Sequence, residues 1–363
     1  MEKKRKIVFI LGSLSQPRCI KRIISFSKEG FDVKVYGYNR GKYNCNVLPA
    51  DISVEVLGKF EDGKSYVNKM FRSFVDMKRI IKKHDDVVFY VMGFSFAIQF
   101  LFKSNKFIYE ISDIFYGYPR FKRVLPLLKF LDKQLIRRSF FTVLTSEGFI
   151  DFFYKNKIPS NLLLQPNRVN TNIQAKRVSI DKEGDSISFG FVGALRYNSI
   201  YLFAEIIGKY YPKHAFKFYG ESSESQRFKD LADKYDNIYY YGKYKNPEDL
   251  DNIYSTIDVV VASYDCNSLN ERIAEPNKLY ESLYFCRPIV VSSTTFLAKQ
   301  VEHYKCGYAI NPNSKEIKAF IDKITIQEIK EKSKQIYSYP ESEFLDSSKK
   351  MFQKFFQLEK DRL

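Results

Sequence analysis

The sequence predicts an α/β chain of two parallel-sheet domains facing each other across a cleft, with a C-terminal helix packing back. Three observations carry this expectation. Its 363 residues exceed one ordinary core and suit two domains of average size. Short apolar runs alternate with helical patterns along most of the length. Residues 171–186 are polar, lack a clear period and read as a linker between two such alternations. The expected domains are therefore 1–172 and 173–340, with 341–363 as a terminal helix free to cross onto the first domain.

The elements follow in order. Ile7–Leu11 is a short apolar strand closed by the Gly12 turn, and Ile20, Ile23, Ile24 and Phe26 then mark a helix. Pro17 suits that helix's first turn and Ser15 its cap. Gly30 ends the helix, and 31–36 forms a second strand, completing a βαβ unit of a parallel sheet. Further strands are read at 87–91, 106–110, 140–144 and 162–164, with a long helix from Phe121 to Arg138. Beyond the linker, strands recur at 187–192, 215–219, 238–241, 259–262, 289–291 and 308–310, the first three each followed by glycine (Gly193, Gly220, Gly242). Both domains are thus Rossmann-like. In the tail, Phe344, Leu345, Met351, Phe352, Phe355, Phe356 and Leu358 form a stripe suited to packing on protein.

Composition narrows the function. An apolar fraction of 45% with 28% charged residues describes a globular protein. The five scattered cysteines (Cys19, Cys45, Cys266, Cys286, Cys306) have no metal-type spacing and point to a reducing, cytoplasmic setting. The isolated His84, His214 and His303 argue against a histidine-based zinc site. The apolar run at 7–11 is too short for a signal-peptide core, and 87–102 is too short and too interrupted to span a membrane. The net charge of +17 is uneven. Residues 1–172 carry 31 Lys and Arg against 15 Asp and Glu, leaving 28 and 27 for the rest. Only the first domain is therefore expected to meet an acidic partner: an anionic membrane, a phosphorylated acceptor or nucleic acid.

Chemistry concentrates in Glu275-Pro-Asn-Lys-Leu-Tyr-Glu281-Ser-Leu-Tyr-Phe-Cys-Arg-Pro288. Pro276-Asn277 starts a helix that ends before Arg287-Pro288 and feeds a buried strand. Lys278 stands in the first turn, where the helix dipole disfavours a cation unless an anion also binds. Free N–H groups at such a terminus hold phosphates. Glu281, one turn on, shares a face with Lys278 and can accept from the vicinal hydroxyls of a ribose. The same residues also fit an ordinary helix in which Asn277 caps and Glu281 complements the dipole. Spacing leaves both readings open.

Pro276-x-Lys278-x-x-Glu281 followed by Cys-Arg-Pro-Ile-Val resembles the P-x-K-x-x-E…G-[KR]-P-V-V variant of family 4 glycosyltransferases of the GT-B fold. The likeness spans nearly the whole chain. Phe191-Val-Gly193-Ala-Leu-Arg196 is similar to that family's opening of the second domain, and Asn237–Gly242 with Leu250, Tyr254 and Asp258 to the stretch before the motif. Ser146-Glu147 and Pro166-Asn167 match landmarks of the first domain. The resemblance implies that Glu281 holds a nucleotide ribose, that Arg196 and Lys278 neutralise the donor diphosphate, and that Gly193 admits it closely. It places Asp113 where a residue faces the transferred sugar, and it includes Gly12, Gly242, Glu275 and Asn277 in the donor-binding set. Alternatively, Arg196 is a solvated surface arginine and Asp113 a helix cap before Ile114-Phe115. Two departures stand out. Ile273 occupies the first acidic position of the commoner E-x7-E pattern, so Glu275 or the Asn277 backbone would replace that contact. Cys286 stands where glycine is usual.

The resemblance further implies transfer with retention of configuration and without metal or other cofactor, the nucleotide sugar being a co-substrate. The acceptor hydroxyl attacks on the face that the phosphate leaves, and the phosphate takes its proton. Asp249-Leu-Asp251 reads as a solvated helical pair rather than a metal motif. The expected acceptor is a saccharide or a lipid-diphosphate-linked sugar in cell-surface polysaccharide assembly. On the helix 121–138, Val124, Leu128, Leu131 and Leu135 read as the core-facing stripe. Lys122, Lys129, Lys133 and Arg137 remain to meet an anionic membrane, giving a peripheral attachment.

Rivals remain. An oxidoreductase would need G-x-G-x-x-G after the first strand, which Gly12-Ser-Leu-Ser-Gln-Pro does not supply. A nucleotide-sugar epimerase of similar fold is the enzymatic alternative. A basic nucleic-acid-binding protein is the other, though no RNP, KH or zinc-finger pattern occurs and no nucleic acid is expected.

Overall fold

The computed structural model describes residues 4–39, 48–59, 66–155 and 157–361. The chain forms two compact units: residues 1–166 with 347–363, and residues 167–346. Cys45 lies outside the described residues, and the four other cysteines are free thiols.

The first unit is a seven-stranded, all-parallel sheet in the order β3-β2-β1-β4-β5-β6-β7. Its strands are β1 (Lys6–Leu11), β2 (Asp32–Asn39), β3 (Ser53–Lys59), β4 (Val88–Met92), β5 (Phe107–Ile111), β6 (Phe141–Leu144) and β7 (Leu162–Leu164). Central strands buried on both faces show as continuous apolar runs, which is why β1, β4, β5 and β6 are legible from sequence. The edge strand β3 is not. Among the described residues it pairs with β2 alone, and Val54 and Val56 are exposed, so no apolar run announces it.

Three local expectations change. Gln16, not Ser15, precedes the first helix (Pro17–Lys28), and no side chain caps it; Pro17 at the first position supplies its dihedral preference instead. The helix expected from Phe121 begins at Leu125, because Pro126 belongs in a first turn; Pro119–Phe121 is a separate 3-10 turn. The terminal helix expected over 341–363 is split. Phe344 is buried in the second unit, whereas Met351, Phe352 and Phe355 of the helix Lys349–Lys360 enter the first unit's core. There Phe352 meets Phe26 edge-on at 5.0 Å and Phe355 meets Phe31 at 5.1 Å.

The second unit is a six-stranded parallel sheet in the order β10-β9-β8-β11-β12-β13. Its strands are β8 (Ser188–Val192), β9 (Ala215–Tyr219), β10 (Ile238–Gly242), β11 (Val259–Ala262), β12 (Ile289–Ser292) and β13 (Gly307–Ile310). Residues 171–186, expected as a linker, are fastened along this unit. Arg177 donates to the carbonyls of Tyr284, Ile336 and Tyr339; Ile180 N donates to Ser333 Oγ at 2.8 Å; Lys182 pairs with Asp258 at 2.7 Å. Polar side chains without a period here satisfy backbone carbonyls, a role that no periodic pattern reveals. Among the described residues, no helix is long and apolar enough to cross a membrane.

Candidate functional site

In the second unit the carboxyl ends of three neighbouring strands close on glycine. Gly193 N donates to Tyr219 O and Gly220 N to Gly242 O, both at 2.7 Å. Gly220 has φ +133°, and a Cβ there would be driven into the Gly193 carbonyl, so only glycine lets these turns nest. A Cβ on Gly193 would stand 3.3 Å from Lys278 Cε, so the lysine stem lies directly against that turn.

Lys278 is on the helix Asn277–Tyr284, which Pro276 precedes without a side-chain cap. Both Lys278 and Glu281 are buried, at 8% and 3% exposure, and Lys278 Nζ donates to Glu281 Oε2 at 2.8 Å. Tyr254 O–H donates to the same oxygen at 2.7 Å, whereas Oε1 receives Asn246 Nδ2 at 3.4 Å. Burial pushes the Lys278 ammonium towards its neutral form, but Glu281 and nearby tyrosines outweigh this and hold its pKa above the ordinary lysine value. Burial, and then the charge of Glu281, pushes the Tyr254 hydroxyl well above its usual range. Lys278 is thus held in its charged form against the Glu281 side chain.

The other predicted residues are distributed around this pair. Arg196 is exposed, and its guanidinium lies 5.1 Å from the Tyr197 ring and donates to the Tyr197 hydroxyl. Tyr197 in turn packs on Tyr264 at 4.6 Å, and the buried Tyr264 hydroxyl feels both Glu281 and Arg196. Glu275 does not join Glu281. It accepts from Tyr280 O–H at 2.6 Å, and Arg168 stands 5.6 Å over the Tyr280 ring. Asn277 does not cap; its Oδ1 accepts from Asn167 Nδ2. Asp249 accepts from Lys245 N of the preceding loop at 2.7 Å and makes no cap bond to its own helix, and Asp251 is exposed. The neighbouring helix Asn198–Tyr210 offers no open terminus, because Asp265 accepts from Asn198 N and Ser199 N. Among the described residues, no group of three His, Cys, Asp or Glu is placed to hold a metal.

In the first unit, Gly12 follows β1 and Asp113 is exposed after β5. The 3-10 turn that follows Asp113 has Ile114 at its cap position and no side-chain cap. Two buried carboxylates of this unit give no signal in the sequence. Glu110 pairs with Arg18 (3.2 Å) and Arg22 (3.3 Å) and accepts from Tyr90 O–H. Asp132 accepts from Tyr109 and Tyr116 hydroxyls at 2.7 and 2.6 Å. In the second unit Asn246, Tyr264 and Asp265 join the site without a signal in the sequence. Tyr254 is visible there only as part of a pattern, since a lone tyrosine in the short helix Leu250–Ser255 carries no spacing signal.

The helix Leu125–Arg138 also departs from expectation. Leu135 is buried, but Val124 is exposed, and the outward apolar residues are Leu127 and Phe130. Lys129 and Lys133 lie over the Phe152 and Tyr154 rings at 4.2 and 4.8 Å rather than on the outer face. Lys122, Arg123, Arg137 and Arg138 are the exposed cations, so of the expected four Lys122 and Arg137 remain on the outside.

Residues 172–341 match the family model described as glycosyl transferases group 1. The chain is similar to the succinoglycan biosynthesis protein ExoL of Rhizobium meliloti (strain 1021), with 25% identity over 313 residues, covering 80% of this chain and 77% of the relative. Among solved structures it resembles the sucrose-phosphate synthase of Thermosynechococcus elongatus, at TM-score 0.69 and 12% identity over 98% of this chain and 99% of the other. It likewise resembles Anabaena Alr3699/HepE in complex with UDP and glucose, at TM-score 0.68 and 14% identity over 94% and 96%.

Proposed function

Since residues 172–341 form a glycosyl transferases group 1 domain and the chain has the GT-B fold, we propose that this glycosyltransferase moves a sugar with retention from a nucleotide-sugar donor to a saccharide or lipid-linked acceptor in polysaccharide assembly. The observation that carries the donor reading is the buried Lys278–Glu281 pair lying against the Gly193 turn. Lys278 neutralises the diphosphate as the leaving group gains charge, and the backbone at Gly193 lets it approach. Glu281 accepts from the ribose, and the exposed Arg196 joins Lys278 on the phosphates. Gly242 keeps its neighbouring turn open, while Glu275 and Asn277 brace the helix start through Tyr280 and Asn167. For Asp113 and Gly12 the reading rests on the sequence resemblance alone, as do retention and independence of metal. The complexes of HepE with UDP and glucose favour a UDP-sugar as donor.

The acceptor side is read from charge. Divided as the fold divides it, the first unit holds 35 Lys and Arg against 17 Asp and Glu, and the second 24 against 25. Leu127 and Phe130, flanked by Arg123, Arg137 and Arg138, fit peripheral contact with an anionic membrane at the cytoplasmic face. Donor turnover and UDP binding test the site. Each charge-assisted bond contributes roughly 1.5–3 kcal/mol, so Glu281→Gln and Lys278→Ala should each lose about tenfold or more in kcat/KM when assayed below their melting temperatures, which the loss of one partner of a buried pair lowers. Parent-level turnover of the Glu281 variant would sink the assignment.

A further inference from the structure

The two oxygens of Glu281 are not equivalent. Oε2 is engaged from two sides, by Lys278 Nζ at 2.8 Å and Tyr254 O–H at 2.7 Å, while among the described residues Oε1 has only the long 3.4 Å contact from Asn246. Carboxylate oxygens accept about two hydrogen bonds each. Oε2 is thereby saturated, and Oε1 keeps capacity for an incoming hydroxyl. What fixes this asymmetry is Tyr254. The residue is fully buried, its ring is stacked on Phe285 at 4.6 Å and 5° between planes, and its hydroxyl has no freedom to follow a rotating carboxylate. Lys278 alone could not fix it, because an ammonium on a flexible stem donates to either oxygen.

We infer that Tyr254 is a positioning residue that locks Glu281 with Oε1 presented to the ribose diol, and so makes the site discriminate ribonucleotides from deoxyribonucleotides. This rests on the ribose role of Glu281 proposed above. A rigid acceptor penalises a ligand that lacks its partner hydroxyl, because the buried oxygen then goes unpaired. A carboxylate free to turn relaxes onto another donor and loses that selectivity. Tyr254→Phe removes one oxygen and leaves the ring and its stacking in place.

The test is titration of the full chain with UDP, 2′-deoxy-UDP and 3′-deoxy-UDP, for the parent, Tyr254→Phe and Glu281→Gln. The parent is expected to bind UDP at least tenfold tighter than one of the deoxy forms. Tyr254→Phe should reduce that ratio to threefold or less, mainly by weakening UDP. Phe285→Leu, which keeps the hydroxyl but removes the stacking ring, should reduce it in the same direction, and it serves if Tyr254→Phe melts early. Parent-like discrimination in Tyr254→Phe, with discrimination lost in Glu281→Gln, overturns the role of Tyr254 and leaves that of Glu281 standing. Discrimination that persists in Glu281→Gln overturns both. If the parent does not bind UDP, GDP and ADP with their deoxy forms are the probes, and absence of binding by all three removes the donor reading itself.

Discussion

A buried carboxylate that faces hydroxyls alone behaves differently from one that also faces an ammonium. Glu281 has Lys278 beside it, whereas Asp132 has only the hydroxyls of Tyr109 and Tyr116. Burial therefore dominates at Asp132 and raises its pKa to about 7, the two hydrogen bonds opposing this only in part. The folded state holds that proton more tightly than the unfolded chain. The stabilisation is complete below the unfolded value, near 4, and is lost as pH rises from there towards 7. Asp132→Asn should accordingly gain melting temperature relative to the parent between pH 5 and pH 8, which thermal melts across that range measure. A flat difference would refute the assignment. None of this is legible in the sequence. Asp132 reads there as one charge on a helix, because its hydroxyl partners lie 23 and 16 residues away. Lys278 was legible because a cation in a first helical turn contradicts a local rule.

Among the elements, those buried on both faces announce themselves, while those that rely on one neighbour do not. β1, β4, β5 and β11 appear as apolar runs; the edge strand β3 and the true outward face of the helix Leu125–Arg138 do not. That helix carries apolar residues on both faces, so periodicity alone favoured Val124 over Leu127 and Phe130. Replacing Leu127 and Phe130 by Glu should abolish sedimentation with phosphatidylglycerol vesicles while leaving the melting temperature within about 2 °C, since exposed positions cost roughly ±0.5 kcal/mol. Vesicle binding equal to the parent's would reject the membrane face. At the strand ends, Gly220→Ala combines a positive φ with a collision on the Gly193 carbonyl. It should destabilise the second unit by more than the ~1 kcal/mol of an ordinary glycine substitution, and impair UDP binding as well, through the displaced turn.

Across the whole molecule, the two parallel sheets are legible because strand and helix periods alternate twice, whereas the order of their strands comes from the fold. The boundary was not, because residues 171–186 lack a period yet are fastened to the second unit by Arg177, Ile180 and Lys182. The charge division sharpens once the fold sets the boundary, since the terminal helix carries its cations back to the first unit. Vesicle binding should therefore weaken steeply between 50 and 300 mM salt (roughly the range over which the screening length halves), whereas UDP binding to the buried Lys278 should change far less. Equal salt slopes for both would contradict this division of labour.

The return of residues 349–360 to the first unit's core also sets an order of events during synthesis. Phe26 and Phe31 are made early, yet their partners Phe352 and Phe355 emerge more than 300 residues later. Until then the nascent first unit presents an aromatic surface, worth several kcal/mol of missing burial, that must be kept from other chains. A chain stopped at residue 346 would hold that unfinished state permanently. Its expected fate is aggregation or capture by chaperones, even though every residue of the second unit is present.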